Sequence, residues 1–440
     1  MANTDCRQRA LAAACAFLAP ALALAQARLP TIFVGHNGNL EGSVAAVRVN
    51  CDGTLTFIDR VITGARNPND PAVPGTNVYG LTISPNGRWL IASHATALTA
   101  AEQLSILSID ADGKLDLVGA SWTDDSPLDV QWVTDEFVAV TRSNIDYNGR
   151  VILYRFDPEA LTLVETDRET TGGFCTSLAV HPSRQFVFAQ DSNARTITSL
   201  RVGGNGSLDI VNQVNVGYYP LGLGVSPTGT KIYAGGGISG DGHQVVGAEI
   251  NPATGALSLL GNQPFYSPGT SPKQVVISPD NRLAIVAHGT DATARTFLLD
   301  DESGELAYTG HVFDVGIQGS LGTLAVMDDL LFITDNWDGP TGVYSFRLGA
   351  DGGMAPNGPL LSTQGVAPLD IAVWHGQPEC LEDIDGDGSV GQSDLGILLA
   401  SFGRCAGEDG FIAAADLDRD CCVGQSDLGR VLALFGADCP

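Results

Sequence analysis

Short apolar runs of four to six residues, each closed by a turn rich in Gly, Asn, Asp or Pro, fill the chain from Ile32 to Val373. Runs of that length between turn signals predict β-strands, not helices. Two phrases recur. The first is a turn followed by a strand-opening Leu or Met: Asp52-Gly-Thr-Leu55, Asp112-Gly-Lys-Leu115, Pro158-Glu-Ala-Leu161, Asn205-Gly-Ser-Leu208, Ala253-Thr-Gly-Ala-Leu257, Glu302-Ser-Gly-Glu-Leu306 and Asp351-Gly-Gly-Met354. Copies are about 46 to 50 residues apart except the first step, near 60, which contains an insertion over Asn67–Thr76 rich in Pro, Asn and Gly. The second phrase is an apolar strand ending in a turn. It reads Gly80–Gly87, Leu128–Val133, Leu178–Pro182, Leu223–Gly229 and Val275–Pro279, with weaker copies at Thr323–Val326 and Leu369–Val373.

Between the phrases lie further short apolar runs, such as Trp89–Ala92, Phe186–Ala189 and Leu283–Ala287, each followed by an alternating run such as Leu104–Ile109 or Thr341–Phe346. Four short strands in about 48 residues make one propeller blade. Seven such blades need about 340 residues, and Arg28 to His375 supplies 348. The phase of the repeat also predicts closure. The chain starts in mid-blade at Ile32-Phe-Val34 and ends the repeats on a lone inner strand, Leu369–Val373. Together these fragments complete one blade and remove an open sheet edge. The expected fold is therefore all-β: a seven-bladed β-propeller closed by N- and C-terminal strands of one blade, followed by a small α-helical unit described below.

Composition narrows the function. The formal net charge is −27, with 23 basic and 50 acidic residues, so a nucleic-acid binder is excluded on electrostatic grounds. Arg7 and Arg9 precede an apolar run, Ala10–Ala25, and Ala25-Gln26-Ala27 offers a small-residue cleavage site. That reads as a secretory leader removed near Ala27, leaving a secreted protein (extracellular, cell-surface or periplasmic) without a transmembrane segment. Of the seven cysteines beyond it, five fall in the last 61 residues, which predicts disulfides in a small C-terminal unit. Seven is odd, so at least one thiol stays free or pairs with another chain, and the connectivity is open.

The seven copies, the Ser-Pro-x-Gly ends of inner strands and the Asp-Gly-x-Leu hairpins resemble the seven-bladed lactonase-like propellers, which include the propeller-type 6-phosphogluconolactonases. The resemblance covers about residues 30–374 and implies hydrolytic opening of a lactone or related ester. In a propeller the residues just past each second strand share a face with the loops entering the inner strands. Here they are His36, His94, Arg142, Asp191, Gly236, His288 and Asp335, with His243 farther along its loop. A His as general base and an Arg holding a developing oxyanion suit ester chemistry, so His36, His94, Arg142 and His288 are the catalytic candidates. No Gly-x-Ser-x-Gly elbow supports a serine hydrolase. Cys175, expected on the same face, reads better as a buried or unpaired thiol than as a nucleophile.

From Cys380 onward the pattern changes. Asp383, Asp385, Asp387, Ser389 and Asp394 occupy positions 1, 3, 5, 7 and 12 of a loop whose sixth residue is Gly388. That is the EF-hand-like spacing of oxygen ligands for Ca²⁺, with position 7 contributing a backbone carbonyl. After 33 residues the pattern returns as Asp416, Asp418, Asp420, Cys422 and Asp427, and both copies contain Val-Gly-Gln-Ser-Asp-Leu-Gly. Each loop runs into a helix with an apolar stripe, Leu395–Phe402 and Leu428–Phe435. The duplicated loop–helix unit resembles a dockerin module. The resemblance implies two Ca²⁺ sites, a cohesin-like protein domain as partner, and recognition through Gln392, Ser393, Gln425 and Ser426. Position 6 of the second loop is Cys421, where a left-handed backbone favours Gly, so that site should bind more weakly unless a disulfide holds the turn.

The chain thus divides into a leader (1–27), a propeller (28–375), a linker (376–379) and a calcium module (380–440). The favoured reading is a secreted lactone or ester hydrolase acting on a lactone or sugar-derived molecule and anchored by its module. The alternative is a non-catalytic binding or scaffolding propeller displayed in the same way.

Overall fold

A computed structural model describes residues 30–439 apart from 39–40, 65–76, 96–101, 124–125, 143–147, 238–241, 317–320, 337–340, 377–380, 386 and 419. The leader, the insertion near residue 70, most of the linker and Cys380 lie outside the described residues.

The strands form seven antiparallel sheets. Blade 1 is Pro368–Trp374, Thr31–Gly38, Glu41–Val49 and Leu55–Thr63, from the inside outward. The C-terminal inner strand pairs with the first strand of the chain, Ile32 opposite Val373 and Val34 opposite Ile371, as the phase of the repeats predicts. Blades 2 to 7 begin with inner strands Val78–Ile83, Pro127–Trp132, Cys175–Val180, Leu221–Val225, Pro272–Ile277 and Leu321–Met327. Each inner strand packs on the next, and the last packs on Pro368–Trp374, so the ring closes.

Burial explains the two kinds of pattern. Second strands lie between neighbouring blades and are covered on both faces. Phe137–Arg142, Phe186–Asp191, Leu283–His288 and Leu330–Asp335 are buried at every residue, hence their unbroken apolar runs. Outer strands such as Thr162–Gly172 show one face to water and alternate. The recurring hairpin turn needs a left-handed residue. Gly53, Gly113, Gly206, Gly255, Gly304 and Gly352 supply it with φ between 72° and 87°. In the third blade, where the turn is Pro158-Glu-Ala-Leu161, Leu161 takes that conformation itself at φ 52°.

The C-terminal residues form two short helices, α1 (Gln392–Ser401) and α2 (Gln425–Ala433), around a small core of Ile384, Val390, Leu398, Ile412, Leu417, Val423 and Val431. A disulfide joins Cys405 to Cys422, and Cys439 is also disulfide-bonded. The predicted apolar stripes are split. Leu398 and Val431 turn inward, while Leu399, Phe402, Leu432 and Phe435 are exposed. Among the described residues no helix is long and apolar enough to cross a membrane.

Candidate functional site

The four residues expected to act at the channel stand at the ends of second strands, but the structure seals them between blades. His36, His94 and His288 are 0% exposed and Arg142 is 5% exposed. His36 Nε2 bonds Thr363 Oγ1 at 2.8 Å, and its Nδ1 meets Ser43 Oγ at 3.0 Å. His94 Nε2 meets Ser105 Oγ at 3.0 Å. His288 Nδ1 donates to the Thr293 carbonyl at 3.2 Å, which leaves Nε2 to accept the Ser267 hydroxyl at 2.7 Å. Burial first of all holds His288 down at about 4, so it is neutral near pH 7.

Glycines pack on two of these rings: a Cβ added at Gly365 or Gly269 would stand 2.3 Å from His36 or His288. The loop before an inner strand is thereby fastened to its own second strand. Asp191 does the same by accepting N–H bonds from Phe174 (2.7 Å) and Ala194 (2.7 Å). His36 and His288 are therefore loop anchors, His94 is held to Ser105 of the third strand, and none of the three lines the cavity at the channel mouth. A second strand lies one layer out from the axis, and these side chains turn into the layer between blades. Cys175 is likewise fully buried, with burial raising its thiol pKa far beyond a nucleophile's range.

The channel mouth on that face is built by the second and third residues of the seven inner strands. They enclose a cavity of about 320 Å³. Third positions, counted from Pro220 in the fifth blade, read Gly80, Asp129, Ser177, Gly222, Gln274, Thr323 and Asp370. Several reach to the next blade: Asp370 Oδ2 accepts Leu81 N–H at 2.7 Å, Asp129 Oδ2 accepts Leu178 N–H at 2.7 Å, and Gln274 Oε1 accepts Leu324 N–H at 2.8 Å. Side chains thus stitch neighbouring blades at the rim.

Three titratable groups in this ring are displaced from their ordinary behaviour. Burial raises Asp129 to about 6, against the opposing hydrogen bonds from Leu178 and Gln131. Burial and then the charge of Asp129 raise Asp370 to about 7. Burial lowers Lys273 to about 8, and its Nζ donates to the Leu321 carbonyl. Between the two carboxyls stands Gly80, where an added Cβ would lie 3.2 Å from Asp129 Oδ1, so the missing side chain leaves room beside that carboxylate. A base, an acid and a cation in one concave site are what acyl chemistry uses. Sequence reasoning passed over them. The signal lay in the inner-strand phrase, where Leu128-Asp-Val and Leu369-Asp-Ile carry a charge at a position otherwise Gly, Ser, Gln or Thr.

At the C-terminus two further clusters form. Asp383, Asp385 and Asp394 offer carboxylate oxygens within 4.8 Å of one another, and so do Asp416, Asp418 and Asp427. Gly388 and Cys421 both adopt left-handed backbone, at φ 93° and 70°. The buried Asp416 Oδ1 has no hydrogen-bond partner among the described residues. Asp387 and Asp420 each accept one N–H from the residue two places on, Ser389 or Cys422, at 2.9 Å. Gln392, Ser393, Gln425 and Ser426 are exposed at the helix starts.

Fold and site together define a seven-bladed propeller with titratable groups gathered at one mouth of its channel. Residues 37–176, from the end of the first strand to the start of the fourth blade, match the family described as "Lactonase, 7-bladed beta-propeller". No curated protein matches the chain. Among solved structures, the Pseudomonas aeruginosa periplasmic gluconolactonase is similar with TM-score 0.62 and 19% identity, over 80% of this chain and all of that one. A putative 6-phosphogluconolactonase from Bacteroides uniformis gives TM-score 0.63 and 17% identity, over 79% and 99% of the two chains. A functionally unknown protein from Desulfotomaculum acetoxidans gives TM-score 0.60 and 15% identity, over 79% and 99%. At these identities the likeness is one of fold.

Proposed function

We propose that the ring is a hydrolase that opens a lactone or a related sugar-derived ester at the channel mouth. The observation that carries this reading is the convergence of Asp129, Asp370 and Lys273 in one cavity, each with an altered proton affinity. Asp129, with the lower carboxyl pKa, is ionised near neutrality and takes the proton of the attacking water. Asp370 keeps its proton longer and returns it to the leaving alkoxide. Lys273, charged below about 8, attracts the developing oxyanion. The likeness in fold to a gluconolactonase and to a putative 6-phosphogluconolactonase makes lactones the first substrates to try.

A panel of aldonolactones and simple esters tests this. Asp129→Asn and Lys273→Met are expected to lower kcat/KM at least about 100-fold, the usual order for losing a proton-transfer or oxyanion group. His94→Ala, which removes a buried ring bonded to Ser105, should act mainly on stability. No hydrolysis above background by the wild-type protein would overturn the reading and favour a non-catalytic binding propeller. That alternative draws on one specific observation: Asp129 and Asp370 already serve the ring by accepting strand N–H bonds.

The C-terminal unit is proposed to be a calcium-dependent docking module on a secreted protein whose leader ends near Ala27. The donor sets fit the ion: hard carboxylates in threes, a left-handed sixth residue in each loop and an unpartnered buried oxygen on Asp416. Asp383, Asp385, Asp387, Ser389 and Asp394 would hold one Ca²⁺, and Asp416, Asp418, Asp420, Cys422 and Asp427 the other. Bound Ca²⁺ would offset the carboxylate repulsion and fix the loops. The two exposed apolar pairs, Leu399 with Phe402 and Leu432 with Phe435, repeat in step with Gln392, Ser393, Gln425 and Ser426. Such a duplicated surface suits a cohesin-like domain seated in either of two related orientations. Binding should be Ca²⁺-dependent and abolished by Leu399→Asp with Leu432→Asp, measured by calorimetry against cohesin domains.

A further inference from the structure

Two thiols from opposite ends of the sequence meet in this molecule. Cys51 lies in the hairpin turn of blade 1 between Glu41–Val49 and Leu55–Thr63, and Cys421 is the sixth residue of the second acidic loop. They are 370 positions apart, yet the Cys421 thiol donates to the Cys51 carbonyl at 2.9 Å. The Cys51 sulfur lies 3.9 Å from Asp416 Oδ2, and the two sulfurs and an Asp416 oxygen all lie within 4.8 Å of one another. A disulfide needs sulfurs about 2 Å apart, a gap that side-chain rotation can span.

Three further observations converge on the pair. The first is the cysteine count. Cys405 and Cys422 are already joined and Cys439 is bonded, while Cys175 is sealed inside its blade at 0% exposure. Among the described cysteines this leaves Cys51 and Cys421, both partly exposed, and joining them assigns the odd thiol to Cys175. The second is backbone strain. The first acidic loop places Gly388 at its sixth position, while the second forces Cys421 into the left-handed region at φ 70°. A glycine would sit there without strain, so the cysteine is accounted for by its sulfur. The third is position. Cys51 belongs to the rim opposite the channel mouth, where a cavity of about 560 Å³ is lined by ring residues, including Met327, Leu330 and Arg347, and by residues of the C-terminal unit, including Asp416 and Arg430.

We propose that Cys51 and Cys421 form a disulfide in the mature protein, stapling the C-terminal unit to the ring on the face away from the mouth. The oxidant is a disulfide compound or a disulfide-donating oxidoreductase. Two S–H bonds break and one S–S bond forms, and the two electrons and two protons pass to the donor disulfide, which leaves as two thiols. The bond holds the second acidic loop against blade 1 and keeps a partner docked on the unit clear of the mouth. It is independent of whether the ring is catalytic.

The test uses the mature chain, residues 28–440, with a protease site placed in residues 376–379, equilibrated with oxidised glutathione, cut, and alkylated before electrophoresis. The other cysteines described as bonded lie within the C-terminal unit, so ring and unit should stay together without reductant and separate with it. Thiol titration in denaturant should give one free thiol per chain. Cys51→Ser should release the unit without reductant and raise the count to two. Fragments that separate without reductant, together with three free thiols, would overturn the proposal. So would fragments that part only on adding a chelator, because the cluster of Cys51, Asp416 and Cys421 would then be holding a metal ion.

Discussion

At the scale of single residues, the chemistry turns on where charge is buried. Asp129 and Asp370 are raised because the ring removes them from water, and Asp370 is raised further by its neighbour's charge. A carboxyl whose folded pKa exceeds its unfolded value lends full stability below about 4, and loses it as the pH climbs through the folded values of about 6 and about 7. Asp370→Asn keeps an oxygen for the Leu81 N–H and removes the charge. Its Tm should match wild type at pH 4 and exceed it by a few degrees at pH 8, measured by calorimetry; an equal loss at both values would mean that the charge is not strained. Turnover should trace a narrow bell, rising as Asp129 ionises near 6 and falling as Asp370 loses its proton near 7, with the loss of the Lys273 proton near 8 deepening the fall. These residues were only partly legible. Aspartates at 129 and 370 break an otherwise uncharged position, but histidine at strand ends looked more like chemistry. Burial between blades, invisible in the sequence, keeps those histidines away from the channel.

At the scale of elements, strands and acidic loops were readable because their signals are local. A turn glycine, an unbroken apolar run and the spacing of Asp in a loop each report on a few neighbouring residues. The helices were half legible. Their apolar spacing predicted a helix, but not that Leu398 would turn inward while Leu399 and Phe402 faced water. The small core of the C-terminal unit covers only part of the stripe. The loops carry a prediction of their own. Removing Ca²⁺ with a chelator should reduce helical circular dichroism from α1 and α2, and titrating it back should restore it. Asp383→Ala and Asp416→Ala should each remove one binding step in calorimetry, the second of them the weaker. An unchanged spectrum on adding Ca²⁺ to metal-free protein would count against both sites.

At the scale of the whole molecule, the ring depends on one strand arriving from the far end of the chain. Pro368–Trp374 completes blade 1, and Trp374 Nε1 donates to the Gly87 carbonyl at 2.9 Å in the neighbouring blade. A chain ending at residue 367 would leave Thr31–Gly38 as an open edge and remove Asp370 from the mouth. Such a truncation should lose the cooperative unfolding transition and aggregate, as seen by scattering during a thermal melt; a soluble, cooperatively folding truncation would mean that closure is dispensable. The sequence by itself determined the number of blades, the strand that closes them and the two acidic loops, because each is a periodicity or spacing between near neighbours. Only the tertiary structure decided which groups share a site. Asp370 reaches an N–H 289 positions away, and Cys421 reaches a carbonyl 370 positions away. Proton affinities likewise follow from burial, which depends on how the blades enclose a side chain and not on the residues beside it in the chain.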